Sequence, residues 1–329
     1  MTNRRQFITV CGGAAAAWPL AANSQTAGRI PTIGVLWHAG SPSEEQPYFD
    51  ALIQGFKERG YVEGRNIRFE HRFPNETPER FRQMAAELVA LNVTAIMTVG
   101  NVTAQYAKAA TTTIPVVFVF VNDPVGTKLV DTLARPGGNV TGHSVVGIDL
   151  TAKRFELLRE LVPQVSHVAL LVNPGEPSAA HYFEEGRAAA AALSLTVSPF
   201  ELRSLDEVEA VFARMDQAGV QALTLGPGGL LFQGRDKLAK SALTHRMPVC
   251  GWSRETLVSG LLLSYGPDLV QIVRQATTFV DKILHGAKPG ELPVQQPTRF
   301  QLIVNQRTAK VLNINVPASF ILRADEVIE

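Results

Sequence analysis

The residues best suited to chemistry stand where apolar runs give way to polar ones. Gly100-Asn101-Val102-Thr103 follows the run Ala95–Val99 and opens a helix, so free backbone N–H groups and the helix dipole there suit a carboxylate. Asn122 and Asp123 close the run Val116–Val121. Asp123 precedes Pro124, which reads either as a helix cap with a first-turn proline or as an anion for a ligand ammonium. Trp37 and His38 end the first strand, where an indole could stack on a planar solute. In the second half, Asn173, Gly226 and Trp252 end further strands, and Tyr265 follows a strand that crosses between lobes. Each has a plainer reading: an ordinary β-α turn, a half-buried rim residue or packing at a hinge. Together they predict a binding site at the carboxyl ends of parallel strands, where open α/β sheets hold ligands. Catalysis has weaker support. His143, Ser144 and Asp149 are close in sequence, but no Gly-x-Ser-x-Gly elbow, P-loop or zinc spacing accompanies them.

The elements that must position these residues alternate short apolar runs with amphipathic ones, the pattern of βα units and parallel sheets. Strands are predicted at 33–37, 67–71, 95–99 and 116–121, with helices at 44–60, 78–89 and 102–110 between them. A short helix and an Arg-Pro-Gly-Gly turn follow Asp123. The rhythm restarts with strands at 168–172, 195–200, 222–225 and 248–252 and helices at 153–161, 179–193, 208–215 and 234–245. A strand at 260–265, a helix at 269–284 closed by His285-Gly286, and a strand at 300–304 complete the pattern, before a short helix at 308–312 and a tail. This predicts two doubly wound α/β lobes joined by three extended crossings. Lobe 1 comprises 30–143 with 266–296, and lobe 2 comprises 144–265 with 297–329.

Composition sets outer bounds. A chain of 329 residues with 46% hydrophobic content can bury two cores. A net charge of +1 without a basic stripe argues against nucleic acid. Asn3-Arg4-Arg5-Gln6-Phe7-Ile8 followed by an apolar stretch to Ala22 reads as a twin-arginine signal over residues 1–24, cut after Ser24. Of the two cysteines, Cys11 falls inside that signal, leaving Cys250 alone and no intramolecular disulfide.

Several longer motifs occur in a familiar order: Gly60-Tyr61-Val62-Glu63-Gly64-Arg65-Asn66-Ile67, Ala110-Thr111-Thr112-Thr113-Ile114-Pro115, Asp123-Pro124-Val125-Gly126, Leu133-Ala134-Arg135-Pro136-Gly137-Gly138-Asn139, Ser264-Tyr265-Gly266-Pro267-Asp268 and Arg323-Ala324-Asp325-Glu326. On these the chain resembles bacterial ABC-transporter substrate-binding proteins of the tryptophan/tyrosine-binding type. The resemblance implies a type I periplasmic-binding-protein fold, a small organic solute held by hinge closure, delivery to a membrane permease and no cofactor or metal. The favoured solute is an amino acid, aromatic ones included; the alternatives are an aromatic or aliphatic carboxylate lacking an amine and, last, hydrolase activity on an α/β fold. A monomer in the periplasm of a Gram-negative bacterium is expected.

Overall fold

The computed structural model describes residues 30–329, so the signal segment lies outside the described residues. The first half builds β1 (Thr32–Leu36), α1 (Tyr48–Glu58), β2 (Arg68–Arg72), α2 (Pro78–Ala90), β3 (Ala95–Val99), α3 (Asn101–Ala110), β4 (Val116–Val121) and β5 (Val140–Ser144). Their strands form a five-stranded, wholly parallel sheet in the order β2-β1-β3-β4-β5. Because side chains alternate across a strand, Ile33, Val35, Met97, Val117 and Val119 face one layer while Leu36, Ile96, Val116 and Phe118 face the other. Leu88 and Ala104 of α2 and α3 cover the second face.

The second half continues with α4 (Thr151–Leu161), β6 (His167–Val172), α5 (Ala179–Ala192), β7 (Thr196–Glu201), α6 (Val208–Gln217), β8 (Ala222–Leu225), α7 (Gly229–Gln233), α8 (Arg235–Thr244), β9 (Val249–Gly251), α9 (Arg254–Val258) and β10 (Leu263–Pro267). After α10 (Leu269–Leu284), the chain forms β11 (Phe300–Asn305), α11 (Gln306–Leu312), α12 (Ala318–Ile321) and β12 (Glu326–Ile328). These strands form a seven-stranded sheet in the order β12-β11-β10-β9-β8-β6-β7, parallel except for the β10/β11 pair. Helices cover both faces: Phe155, Leu158 and Tyr182 pack beneath one, Phe212 and Leu238 beneath the other. The architecture is therefore two α/β lobes.

Helix α10 returns to the first sheet. Asp268 caps it, its Oδ1 accepting from the Gln271 amide at 2.9 Å, and its apolar stripe Ile272, Val273, Ala276 and Val280 packs in the same core as Leu52 and Phe56 of α1. The contact is close because α1 carries Gly55, where a Cβ would lie 2.9 Å from the Arg274 carbonyl oxygen. The chain passes between the sheets after β5, at β10/α10 and before β11. Two of these passages are tied together, the Ser144 amide donating to Gln295 O at 2.8 Å and the Gln295 amide to Gly142 O at 3.0 Å.

Several elements depart from the expected pattern. No helix follows Asp123: residues 124–130 form a run of turns, with Lys128 in the left-handed region at φ 58°. Helices α7, α9 and α12 and strand β12 have no counterpart in the sequence reading.

Candidate functional site

A cavity lies between the carboxyl ends of the two sheets, enclosing about 590 Å³ of space not filled by atoms, part of it open to solvent. Four aromatic residues line it: Tyr48 of α1 and Phe120 of β4 from the first lobe, Phe232 of α7 and Trp252, just beyond β9, from the second. Tyr48 meets Phe120 edge-on at 5.0 Å and Phe232 at 5.3 Å. Phe120 reaches this position through a β-bulge: the β4/β5 register shifts between Val119 and Val121, and Phe120 sits at φ 65°. A non-glycine residue held there is strained, and bulges beside sites commonly re-aim a side chain. Val146, in the passage after β5, is also left-handed at φ 46°, and its neighbours Val145 and Gly147 both line the cavity.

Arg154 of α4 is wholly buried and lines the cavity. Its Nε donates to Tyr265 O at 2.9 Å and its Nη1 to Gly147 O at 2.7 Å, while Nη2 meets no acceptor among the described residues. Burial pulls the guanidinium down from its usual range, yet arginine starts so high that it stays charged. Asn122 also lines the cavity; its amide donates to Asn101 Oδ1 at 2.9 Å and its own Oδ1 has no donor among the described residues.

At another wall His38 stands amid acids. Its Nδ1 lies 3.0 Å from Glu76 Oε1 and its Nε2 3.4 Å from Glu45 Oε2, ionic contacts without hydrogen-bond alignment. Burial would lower the imidazole pKa, but the carboxylates of Glu45, Glu76 and Glu176 overcome that and hold it at about 9. Glu45, buried in turn, is pushed up by desolvation although the His38 and Ala39 amides donate to it at 3.0 and 2.8 Å. Glu176 comes from the second lobe. It accepts from Asn101 Nδ2 at 3.0 Å and from the Gly229 amide at 3.2 Å, and burial with repulsion from Glu76 raises it to about 7. Further bonds cross between the lobes: the Tyr48 hydroxyl donates to Glu255 Oε2 at 2.9 Å, and Gln233 Nε2 donates to Asn75 Oδ1 at 2.7 Å.

Among the candidates read from the sequence, His38, Gly100, Asn101, Asn122 and Trp252 come together around this cavity. The others sit elsewhere. Trp37 is fully buried and stacks on Phe73 at 6.1 Å with its Nε1 donating to His71 Nδ1 at 3.0 Å, because it shares the core-facing side of β1 with Ile33 and Val35. Val102 and Thr103 lie one step further into α3, where the Thr103 hydroxyl folds back onto Gly100 O at 2.9 Å. Asp123 caps a turn through the Gly126 amide at 2.8 Å and meets His181 Nδ1 at 3.0 Å, away from the cavity. Asn173 Oδ1 accepts from the Gly175 amide at 2.9 Å, and Gly226 lies beneath the wall with its amide on Leu171 O at 2.7 Å while Pro227 and Gly228 provide the surface. Tyr265 turns its ring to Phe300 at 6.0 Å and contributes only its carbonyl, to Arg154. His143, Ser144 and Asp149 form no triad: His143 Nδ1 meets the Ser144 carbonyl at 2.9 Å, Ser144 Oγ points to Asn122 O, and Asp149 is exposed. Sequence reasoning missed Tyr48, Phe120, Arg154 and Phe232.

Residues 33–328 match the family described as ABC transporter substrate binding protein. A curated relative, the tyrosine-binding protein of Clostridioides difficile, is 25% identical over 275 residues, which is 82% of this chain and 79% of the relative. A conserved domain protein from Vibrio cholerae shares the fold at a TM-score of 0.85 and 28% identity, over 91% of this chain and 100% of that one. An ABC domain from Streptococcus pneumoniae, solved in complex with L-Trp, gives a TM-score of 0.84 at 25% identity with the same coverage of 91% and 100%.

Proposed function

Since the chain belongs to the ABC transporter substrate-binding protein family, we propose that it is the exported receptor of an importer and that its solute is an aromatic amino acid. One observation carries this reading: two aromatic side chains from each lobe converge on a single interlobe cavity. A planar ring packed against this cluster buries apolar surface and gains edge and face contacts worth about 0.5–1.5 kcal/mol per aromatic pair beyond area. Those walls come from different lobes, so a ligand bridging them favours the closed arrangement over an open one by its extra contacts. The hinge is assigned to the three passages after β5, at β10/α10 and before β11. The names of the relatives, one a tyrosine-binding protein and one solved with L-Trp, point the same way. A twin-arginine signal over residues 1–24 would deliver the folded monomer to a Gram-negative periplasm, where the closed form is handed to the permease.

The test is thermal denaturation and titration calorimetry of the mature chain with L-tryptophan, L-tyrosine, L-phenylalanine, L-leucine, indole-3-propionate and D-glucose. A cognate solute at about 100 times its Kd adds roughly 2.7 kcal/mol to stability. Stabilisation by an aromatic amino acid with none by glucose is the expected result. Stabilisation by the sugar alone overturns the reading, and stabilisation by indole-3-propionate in preference to tryptophan moves the solute class to carboxylates without an amine.

A further inference from the structure

Two residues lining the cavity each carry a buried side-chain atom with no hydrogen-bond partner among the described residues, and the two atoms are chemically opposite. Arg154 Nη2 can only donate, and Asn122 Oδ1 can only accept. Their residues are 0% and 7% exposed, so water does not satisfy them freely. They also converge on one point of the backbone. Arg154 Nη1 donates to Gly147 O at 2.7 Å, and a Cβ on Gly147 would lie 2.5 Å from Asn122 Oδ1. Gly147 belongs to the passage between the lobes, next to the left-handed Val146.

We infer that this pair reads the α-amino-acid head group: Arg154 Nη2 donates to the carboxylate and Asn122 Oδ1 accepts from the ammonium. The head group then sits at the hinge beside Gly147, with the side chain among the aromatic rings. The inference rests on the amino-acid reading above and specifies which atoms enforce it. The guanidinium is already fixed through Nε on Tyr265 O of β10 at 2.9 Å and Nη1 on Gly147 O of the passage after β5. A carboxylate added at Nη2 completes a charge-assisted bond to a buried cation that has no carboxylate partner among the described residues. It also ties ligand capture to the hinge geometry that places those two carbonyls. Two positions read from the sequence are otherwise engaged. The Gly100 amide at the start of α3 donates to Val119 O at 2.9 Å, and Asp123 is held by Gly126 and His181 outside the cavity.

The experiment is a cycle of ligand and protein changes read by titration calorimetry. L-tryptophan, tryptamine, which lacks the carboxylate, and indole-3-propionate, which lacks the ammonium, are titrated into the wild-type chain, Arg154→Met and Asn122→Ala. Wild type should prefer tryptophan over tryptamine by about 100-fold or more, the usual scale for stranding a buried charge. In Arg154→Met that preference should collapse to within a few-fold while the preference over indole-3-propionate persists; Asn122→Ala should show the converse. Equal binding of tryptophan and tryptamine by wild type overturns the assignment of Arg154 without any variant, as does a preference unchanged in Arg154→Met. If Arg154→Met does not fold, Arg154→Lys keeps the charge but cannot hold both carbonyls and the ligand, and its discrimination must still fall. If no aromatic amino acid binds, the aromatic reading fails alone, and L-leucine, 3-methylbutylamine and 4-methylpentanoate run the same cycle. Absence of binding by either amino acid overturns both.

Discussion

Replacing His38 by Gln tests the charge cluster at the cavity wall. The imidazole contacts Glu76 at 3.0 Å and Glu45 at 3.4 Å, with side-chain exposures of 8%, 9% and 0%. Each attraction is worth roughly 5 kcal/mol at an effective dielectric of about 20. Removing ions from water costs several kcal/mol apiece, so most of that is cancelled. The residue is visible in the pKa, which rises from 6.5 to about 9 and corresponds to about 3 kcal/mol of preference for imidazolium in the folded chain. Because the folded pKa is the higher one, this stability is fully present below pH 6.5 and is lost as pH climbs to about 9. Urea melts of wild type and His38→Gln between about pH 6 and 9.5 measure it. The stability gap between the two proteins should shrink by about 3 kcal/mol across that window. A gap independent of pH would refute the imidazolium assignment, and a gap that widened would reverse its sign.

Glu176→Gln should act in a lower window. Its carboxyl is raised from 4.5 to about 7, so ionisation opposes the folded state, and wild type should lose about 3 kcal/mol relative to the variant as pH rises through that interval and then level off; parallel pH profiles would show that Glu176 is not desolvated. Asp123→Ala removes the cap on the Gly126 amide and the His181 contact, and should cost about 1 kcal/mol in a denaturant melt with tryptophan affinity nearly unchanged. A tenfold or greater loss of affinity would return Asp123 to the site. Changing Arg4 and Arg5 to Lys should leave folded precursor in the cytoplasm, assayed by cell fractionation, and normal periplasmic accumulation would discard the twin-arginine route.

How far the sequence could be read followed how locally each feature is determined. Ala95–Val99 and Val116–Val121 were legible to the residue, since continuous apolar runs with polar ends need no partner to be recognised, and Leu269–Leu284 was legible with its His285-Gly286 close. Strand β12 was not, because three half-buried residues become a strand only by pairing with β11. The run after Asp123 looked like a capped helix, but Lys128 turns left-handed there and the carbonyls of Asp123 and Pro124 are taken by turn amides.

The site followed the same division. Strand-end position located His38, Asn101, Asn122 and Trp252, yet parity decides which neighbour faces the ligand: one residue separates His38 at the cavity from Trp37 in the core. Phe120 was hidden because a continuous apolar run gives no sign of the bulge that turns its ring. Glu45, Glu76 and Glu176 come from three separate loops, two in one lobe and one in the other, and no spacing links them until the lobes meet. Arg154 did leave a trace. It lies on the line of Leu158 and Leu161, at i, i+4 and i+7 of α4, where an amphipathic helix places apolar residues. A cation on that line is too costly to bury for packing alone, since wholly apolar packing there would be at least as stable. Its burial is accompanied by two backbone bonds, to Gly147 O in the passage after β5 and to Tyr265 O in β10, beside the cavity that Arg154 lines.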